Sequence, residues 1–224
     1  ATGDLSLAAG YSAIASGANS TAVGNTAAAY GAYSTAVGSN AVAAGSNASA
    51  FGTGAYAQGN NSIAAGYNSV ASGYSSSAFG DNAQATGDDS TALGQDSVAS
   101  GYRSTASGFN AQATGDYGTA SGVNTYASGF DSTAVGYAAR STGERSIAAG
   151  SNAYAGASYA SAFGNDATAG GESSVAVGDH SHAYGAGDVA IGRNAVANGS
   201  SKYGYSGSAT AVGNNASATN KYAT

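Results

Sequence analysis

Small, variable and polar positions follow one another in a fixed order along this chain, and the order returns every seven residues. With Gly taken as position zero, as in Ser20-Thr21-Ala22-Val23-Gly24, positions −4 and −2 are small: Ser or Ala, then Ala. Positions −3 and −1 vary and include Val, Ile, Thr, Tyr and Phe, while +1 and +2 carry Asn, Asp, Ser, Tyr and Gly. Alternation of small and variable residues has a period of two, which predicts a short strand with two unlike faces. The residues at +1 and +2 are turn formers. A coiled-coil heptad would need large apolar a and d residues and would not carry a helix-weakening Gly in each repeat, so helix is excluded.

The register is kept with few lapses. Stepping by seven from residue 3 to residue 220, Gly holds 29 of 32 positions, the exceptions being Ala157, Ser206 and Asn220. Ala holds 30 of the 32 positions two residues earlier, failing only at Ser141 and Gly204. A beat kept over this length means a repeat architecture rather than a globular domain. Each Gly is expected to supply positive φ or close backbone passage at a corner. The absence of Pro fits a chain in which every strand needs its ladder donors.

The full period is fourteen. At position −1, one set of alternate units reads Val23, Val37, Phe51, Ala65, Phe79, Leu93, Ser107, Ser121, Val135, Ala149, Phe163, Val177, Ile191 and Tyr205. The other set, from Ser16 and Tyr30 to Tyr184 and Asn198, is mostly polar or small. Two unlike strands therefore alternate, and one coil needs both. Coils of two strands and two turns stack at about 4.8 Å into two parallel sheets face to face. The −4 and −2 side chains fill the narrow gap between the sheets; −3 and −1 point outward. The expected organisation is one repeat head domain over residues 1–224, with coils over about 4–219 and an atypical coil at about 200–206.

An outward apolar set stacked in register forms a ridge: Val23, Val37, Phe51, Phe79, Leu93, Val135, Phe163, Val177 and Ile191. A soluble monomer does not normally expose so much contiguous apolar surface. These residues are the expected subunit interface, each worth about 1.5–3 kcal/mol when fully buried. A partial stripe at −3 of the other strand (Ile14, Val42, Tyr56, Val70, Val98, Tyr126, Tyr154, Val196) offers a second contact surface. Two different contact faces suit a closed ring better than a two-fold dimer.

Composition supports the same picture. The 224 residues hold 5 Phe and no Trp, Met or Cys, and much of the hydrophobic 42% is Ala, which buries little area. Oligomerisation is the obvious further source of burial. Charged residues are 8% of the chain, with a net charge of −6. Six basic residues form no phosphate-binding stripe, so nucleic acid is not an expected partner. Without Cys there is neither disulfide framework nor thiol chemistry. No apolar run approaches the ~18 residues of a membrane-spanning helix, so direct membrane contact is not expected. The pattern runs to both ends, as expected of a segment of a longer protein. Of 12 acidic residues, 11 lie at +1 or +2; Asp188 alone does not.

Units such as Ser34-Thr35-Ala36-Val37-Gly38 and Ser174-Val175-Ala176-Val177-Gly178, followed by x-x-Ser/Ala-x-Ala-x-Gly, resemble the head repeats of YadA-like trimeric autotransporter adhesins. The resemblance covers nearly the whole chain. It implies an all-β fold, a left-handed parallel β-roll (solenoid) of 14-residue coils with two short strands per coil, assembled as a homotrimer. It further implies a non-enzymatic cell-adhesion and virulence role on the surface of a Gram-negative outer membrane, with host extracellular matrix protein, cell-surface receptor or glycan as partner. The family's coiled-coil stalk, barrel anchor and neck motif are not recognisable in these residues.

Candidate chemistry is sparse. His180 and His182 lie two apart and could form a ring of imidazoles in an oligomer. Their simpler reading is a solvated turn residue and an outward strand residue. Asp88-Asp89 and Asp96 lack the spacing of a calcium loop. No Ser-His-Asp arrangement is identifiable, and no cofactor or metal is expected. The exposed corner aromatics Tyr11, Tyr67, Tyr74, Tyr102, Phe109, Phe130 and Tyr137, all at +1, are candidates for ligand contact or for packing between coils. Besides adhesion, the Thr residues at −3 (Thr21, Thr35, Thr91, Thr105, Thr119, Thr133) raise ice binding, which freezing-point hysteresis distinguishes. A spacer carrying a distal adhesive tip is a third reading.

Overall fold

The computed structural model describes residues 1–199 and 208–224. It has two compact units, Ala1–Ala113 and Thr114–Thr224. Both are built alike. Three-residue strands such as Thr21–Val23 alternate with two-residue strands such as Val42–Ala43. We call the first kind A strands and the second kind B strands. In each unit A strands pair only with A strands and B strands with B strands, all parallel, giving two facing sheets. The register steps by fourteen, as in Val23↔Val37↔Phe51 of the first unit and Val135↔Ala149↔Phe163 of the second. The parallel β-solenoid expected from the period is thus the fold.

The interior is a double layer of Ala methyl groups. Ala22, Ala36 and Ala50 of the A strands and Ala29, Ala43 and Ala57 of the B strands have no exposed surface. The −4 positions are equally closed, as at Ser34, Ala41, Ser62 and Ser76. Some of the hydroxyls there turn back onto the corner: Ser62 Oγ donates to Gly59 O at 2.6 Å and Ser76 Oγ to Gly73 O at 2.7 Å, whereas those of Ser20, Ser34, Ser90, Ser104, Ser132 and Ser174 are buried without a partner. Ser141, which breaks the Ala row, is satisfied by a neighbouring hydroxyl. Ser146 Oγ donates to Gly143 O at 2.7 Å, so its lone pairs accept the Ser141 hydroxyl at 2.6 Å.

Gly is needed at both corners because a Cβ would collide with the next coil's carbonyl, as at Gly24, 2.4 Å from Gly38 O, and one of the two corners adds a second reason. At the corner leaving an A strand, Gly24, Gly38 and Gly66 have φ of 139°, 137° and 147°, values that side chains disfavour. At the corner leaving a B strand, Gly31 and Gly45 need no such φ, but a Cβ would lie 1.9 Å and 2.1 Å from the carbonyl oxygen of the Gly one coil on. Residue +2 is left-handed at both corners, at φ 57° for Asn40 and Asn47 alike. Gly54 and Gly187, off the seven-residue beat, fill this +2 place at φ 70°. Gly156, also off the beat, lies beneath the ring of Tyr154, whose Oη would be 2.6 Å from an added Cβ.

In the second unit the fourteen-residue step gives way to a longer one. Val189 pairs with Thr210 and Ile191 with Val212, 21 residues on, and Val196 pairs with Ser217. Three heptads is an odd number, so continued alternation would have put a B strand at Thr210–Val212. The side chains decide otherwise: Val212 belongs on the apolar face. Val212, not Tyr205, therefore follows Ile191, correcting the order expected from the period. The atypical coil expected at about 200–206 lies outside the described residues.

Asp188 sits at this irregularity and accounts for its own exception. Its carboxylate is fully buried at a −4 position normally held by Ser or Ala. Oδ2 accepts the N–H groups of Gly185 at 2.7 Å and Gly199 at 2.9 Å, and Oδ1 accepts that of Ala209 at 2.7 Å. Regular corners instead send the Gly N–H to an Ala carbonyl one coil on, as Gly31 does to Ala43. A carboxylate supplies acceptors where the next regular coil does not.

Two outcomes follow. Gly45→Ala will lower the urea unfolding free energy by at least about 1–3 kcal/mol, since backbone must move to admit the methyl, whereas Gly54→Asn will change it by less than about 0.5 kcal/mol. Asp188→Ala leaves three buried N–H groups without an acceptor, a loss on the order of 3 kcal/mol or more; hydrogen exchange at Gly185, Gly199 and Ala209 will accelerate accordingly.

Candidate binding surfaces

Each coil presents two faces and two corners, and connectivity fixes what lies beside what. The A-face −1 column adjoins the A-to-B corner. So does the B-face −3 column, because it begins the next strand. The A-face −3 column and the B-face −1 column adjoin the opposite, B-to-A corner.

The structure gathers the apolar candidates along the A-to-B corner. In the first unit Val23, Val37, Phe51, Phe79 and Leu93 stand in one A-face column, each 37–44% exposed, with Ala65 in register and Ser107 at its end. In the second, Val135, Phe163 and Ile191 stand likewise, with the half-buried Val177 and with Ser121 and Ala149 in the column. On the B face, Val42, Tyr56 and Val70 form a half-buried column beside the same corner in the first unit. In the second unit that column is more polar: Arg140 lies between Tyr126 and Tyr154 in register, its guanidinium 5.7 Å from the Tyr126 ring centre.

The seven corner aromatics do not share one edge. Tyr11, Tyr67, Phe109 and Tyr137 lie on the A-to-B corner, whereas Tyr74, Tyr102 and Phe130 lie on the B-to-A corner. Sequence reasoning confined to position +1 missed four further exposed rings at +2 of the B-to-A corner, Tyr33, Tyr117, Tyr159 and Tyr222. Their signal was present in the heptad position combined with the parity of the coil. Tyr117 meets Phe130 edge-on at 5.5 Å, and the Tyr159 hydroxyl accepts from Arg145 Nη1 at 3.0 Å. That bond is the leading cause that raises the Arg145 pKa.

The two His residues diverge. His180 is a left-handed +2 residue on the A-to-B corner, with Nδ1 3.0 Å from Asp179 Oδ1 and Nε2 3.5 Å from Asp166 Oδ2. Asn165 Nδ2 donates to both carboxylates at 2.9 Å. The Asn165 bond, then the His180 bond, hold the Asp179 carboxyl below its usual range. His182 is on the B face, stacked on Tyr184 at 5.5 Å and 7°. Among the described residues no group of three or more His, Cys, Asp or Glu could hold a metal ion. The Asp residues weighed as a calcium loop are also separated: Asp88 and Asp89 lie on the B-to-A corner, Asp96 on the other. Asp88 Oδ1 accepts the Tyr74 N–H at 2.8 Å, Asp89 lies 3.5 Å from Arg103 Nε, and Asp96 accepts from Asn82 at 3.2 Å. The Thr residues stack at A-face −3, as Thr21↔Thr35, Thr91↔Thr105 and Thr119↔Thr133, half-buried and beside Val, Leu or Ser rather than a second Thr column.

Two unlike parallel sheets, joined by Gly corners around an interior of Ala and Ser, define the chain as a two-strand β-roll solenoid of the head-repeat class. The YadA head domain repeat matches residues 1–27, 15–41, 29–55, 43–69, 71–97, 99–125, 127–153, 155–181 and 183–201, and the chain belongs to that family. Among solved structures, the collagen-binding domain of the Yersinia adhesin YadA is 24% identical, covering 74% of this chain and 65% of that chain with a TM-score of 0.29. The chain thus spans just under two thirds of that relative's length. No curated protein matches.

Burial pushes the His182 pKa down from the ordinary value of 6.5, with the nearby His180 adding to the effect. The unfolded chain therefore takes up this proton first as pH falls, and stability due to neutral His182 is lost below pH 6.5 as the folded group titrates. A histidine NMR titration will place the His182 midpoint below 6.5.

Proposed function

We propose that this chain is the head of a homotrimeric bacterial surface adhesin, exposed outside the outer membrane, which attaches to host extracellular matrix or cell-surface molecules without catalysis. One observation carries the assembly reading: the apolar columns of both faces border the same corner. Such a wedge buries both columns only if the A face of one subunit meets the B face of the next, with the A-to-B corners turned toward a shared axis. That contact is heterologous, and it closes into a ring. Three is the subunit number of YadA-like heads. The apolar ridge residues other than Val177 still have more than a third of their surface in water as a single chain, and its removal at about 25 cal/mol per Å² drives association.

Family membership supports the adhesive role. Three copies of each outward surface, and many heads on one cell, turn weak contacts into strong attachment through effective concentration. The B-to-A corners, on the far side of the wedge, are the surfaces left for a partner.

Asp substituted together at Val37, Leu93 and Val177 will leave monomers or aggregates in sedimentation velocity while the unsubstituted head sediments as a trimer. An unchanged trimer contradicts the ridge assignment.

A further inference from the structure

We infer that the B-to-A edge of the first unit, over the three coils from Ser16 to Ser49, is a docking site for a neutral glycan chain. The inference deepens the adhesin reading above and rests on it, because that assembly leaves this edge facing outward.

Charge comes first. Apart from Asp4, every charged residue of the chain lies at or beyond Asp81, and both His residues lie further on. From Leu5 to Gly80 the coils therefore carry no formal charge, and their surface neither steers nor selects a partner by charge. A highly charged ligand would shed its solvation there for no ionic return. An uncharged ligand dense in hydroxyl groups meets neutral donors and acceptors instead.

Two rings stand open within that stretch. Tyr30 follows the B strand Ala28–Ala29, and Tyr33 sits at +2 of the corner that comes next, with Ala32 between them. They are 49% and 65% exposed. Among the described residues neither ring contacts another ring or a cation, and neither hydroxyl is hydrogen-bonded. The equivalents of Tyr30 one coil to either side are Ser16 and Ala44, so nothing bulky adjoins that ring in its column. The equivalents of Tyr33 are Asn19 and Asn47. The Asn19 side chain is likewise unbonded. Asn47 Nδ2 donates to Asn61 Oδ1 at 3.2 Å, which leaves its own Oδ1 as an acceptor. Backbone fixes all three corners: Asn19, Tyr33 and Asn47 share a φ of 57°, and Tyr33 N donates to Ala18 O and Asn47 N to Ala32 O, both at 2.8 Å.

This set matches the chemistry of a sugar. A pyranose has faces of C–H groups and a rim of hydroxyls. The C–H face packs on a tyrosine ring, and a primary amide, which both donates and accepts, can hold neighbouring hydroxyls. Coil spacing of about 4.8 Å places Asn19 and Asn47 on either side of Tyr33, within reach of a chain laid across its ring. Tyr, Asn and Ser also dominate antibody contact loops, where rigid rings supply area and short polar side chains adapt. A single contact on an open edge is weak, and three copies per head multiply it.

The test presents the trimeric head to an array of neutral and acidic oligosaccharides, then titrates the strongest neutral binder by calorimetry. Neutral glycans are expected to lead the array, with an affinity that does not fall as salt rises. Tyr33→Ser is expected to weaken binding about tenfold, Asn19→Ser about two- to fivefold, and Tyr30→Ser combined with Tyr33→Ser to abolish it. The repeat itself shows that these changes fold: Ser75 and Ser173 hold the Tyr33 place at φ of 52° and 56°, and Ser16 and Ser72 hold the Tyr30 place. Absence of any neutral binder, preference for acidic glycans, or wild-type affinity in the double variant overturns the assignment. So does capture of a deglycosylated matrix protein that the double variant loses, which would give the edge to a polypeptide. Sedimentation and cell attachment by the same samples separate the two readings. A trimer that attaches to cells yet fails the glycan test removes this site alone, whereas a monomer without attachment removes the adhesin reading.

Discussion

The closeness of adjacent corners governs this structure. Where the chain leaves a B strand, a Cβ on Gly17, Gly31 or Gly59 would lie 1.9 Å from the carbonyl oxygen of the Gly in the following coil. Stacking at sheet spacing therefore brings backbone against backbone, with no room for a side chain between. The same closeness across the interior admits mainly methyl and hydroxymethyl groups, with Thr125 and Asp188 the largest side chains fully buried there. A core of this kind contributes little apolar area per residue. The large side chains that a globular domain would place inside are carried outside, and the stability of the fold becomes inseparable from what covers them.

That constraint explains why so much was legible from sequence. Gly and Ala recur because geometry forbids alternatives, so the beat at Gly24, Gly31 and Gly38 reported the coil directly. The parity of position −1 reported which strands were alike, and the pairing of Val23 with Val37 and Phe51 follows it. Less legible was anything that depends on which corner a residue occupies. Tyr67 and Tyr74 look equivalent at +1, yet they lie on opposite edges, one beside the apolar columns and the other beside hydroxyl-bearing ones. Tyr117 and Tyr159 escaped notice because +2 reads as a turn position, although a left-handed residue there presents its ring outward.

Asp188 was visible as an anomaly but not as an explanation. A lone acid at an interior position could be an error in the repeat, a metal ligand or a staple, and sequence spacing does not separate these. Its three backbone donors do. They occur where Val189 meets Thr210 instead of a residue fourteen further on, so the deviation and its remedy coincide. The off-beat Gly156 is a similar local accommodation, to the Tyr154 ring.

The 21-residue step has a consequence for how such chains change length over evolutionary time. Tandem duplication or loss of a whole two-strand unit is silent to the lattice: every neighbour is replaced by its equivalent. Gain or loss of half a unit inverts the identity of everything downstream, placing polar columns where apolar ones stood. At the 21-residue step in this chain a buried acceptor, Asp188, takes up the displaced N–H groups. Length variants of this head should come in whole coils, with each rare half-coil accompanied by its own Asp188.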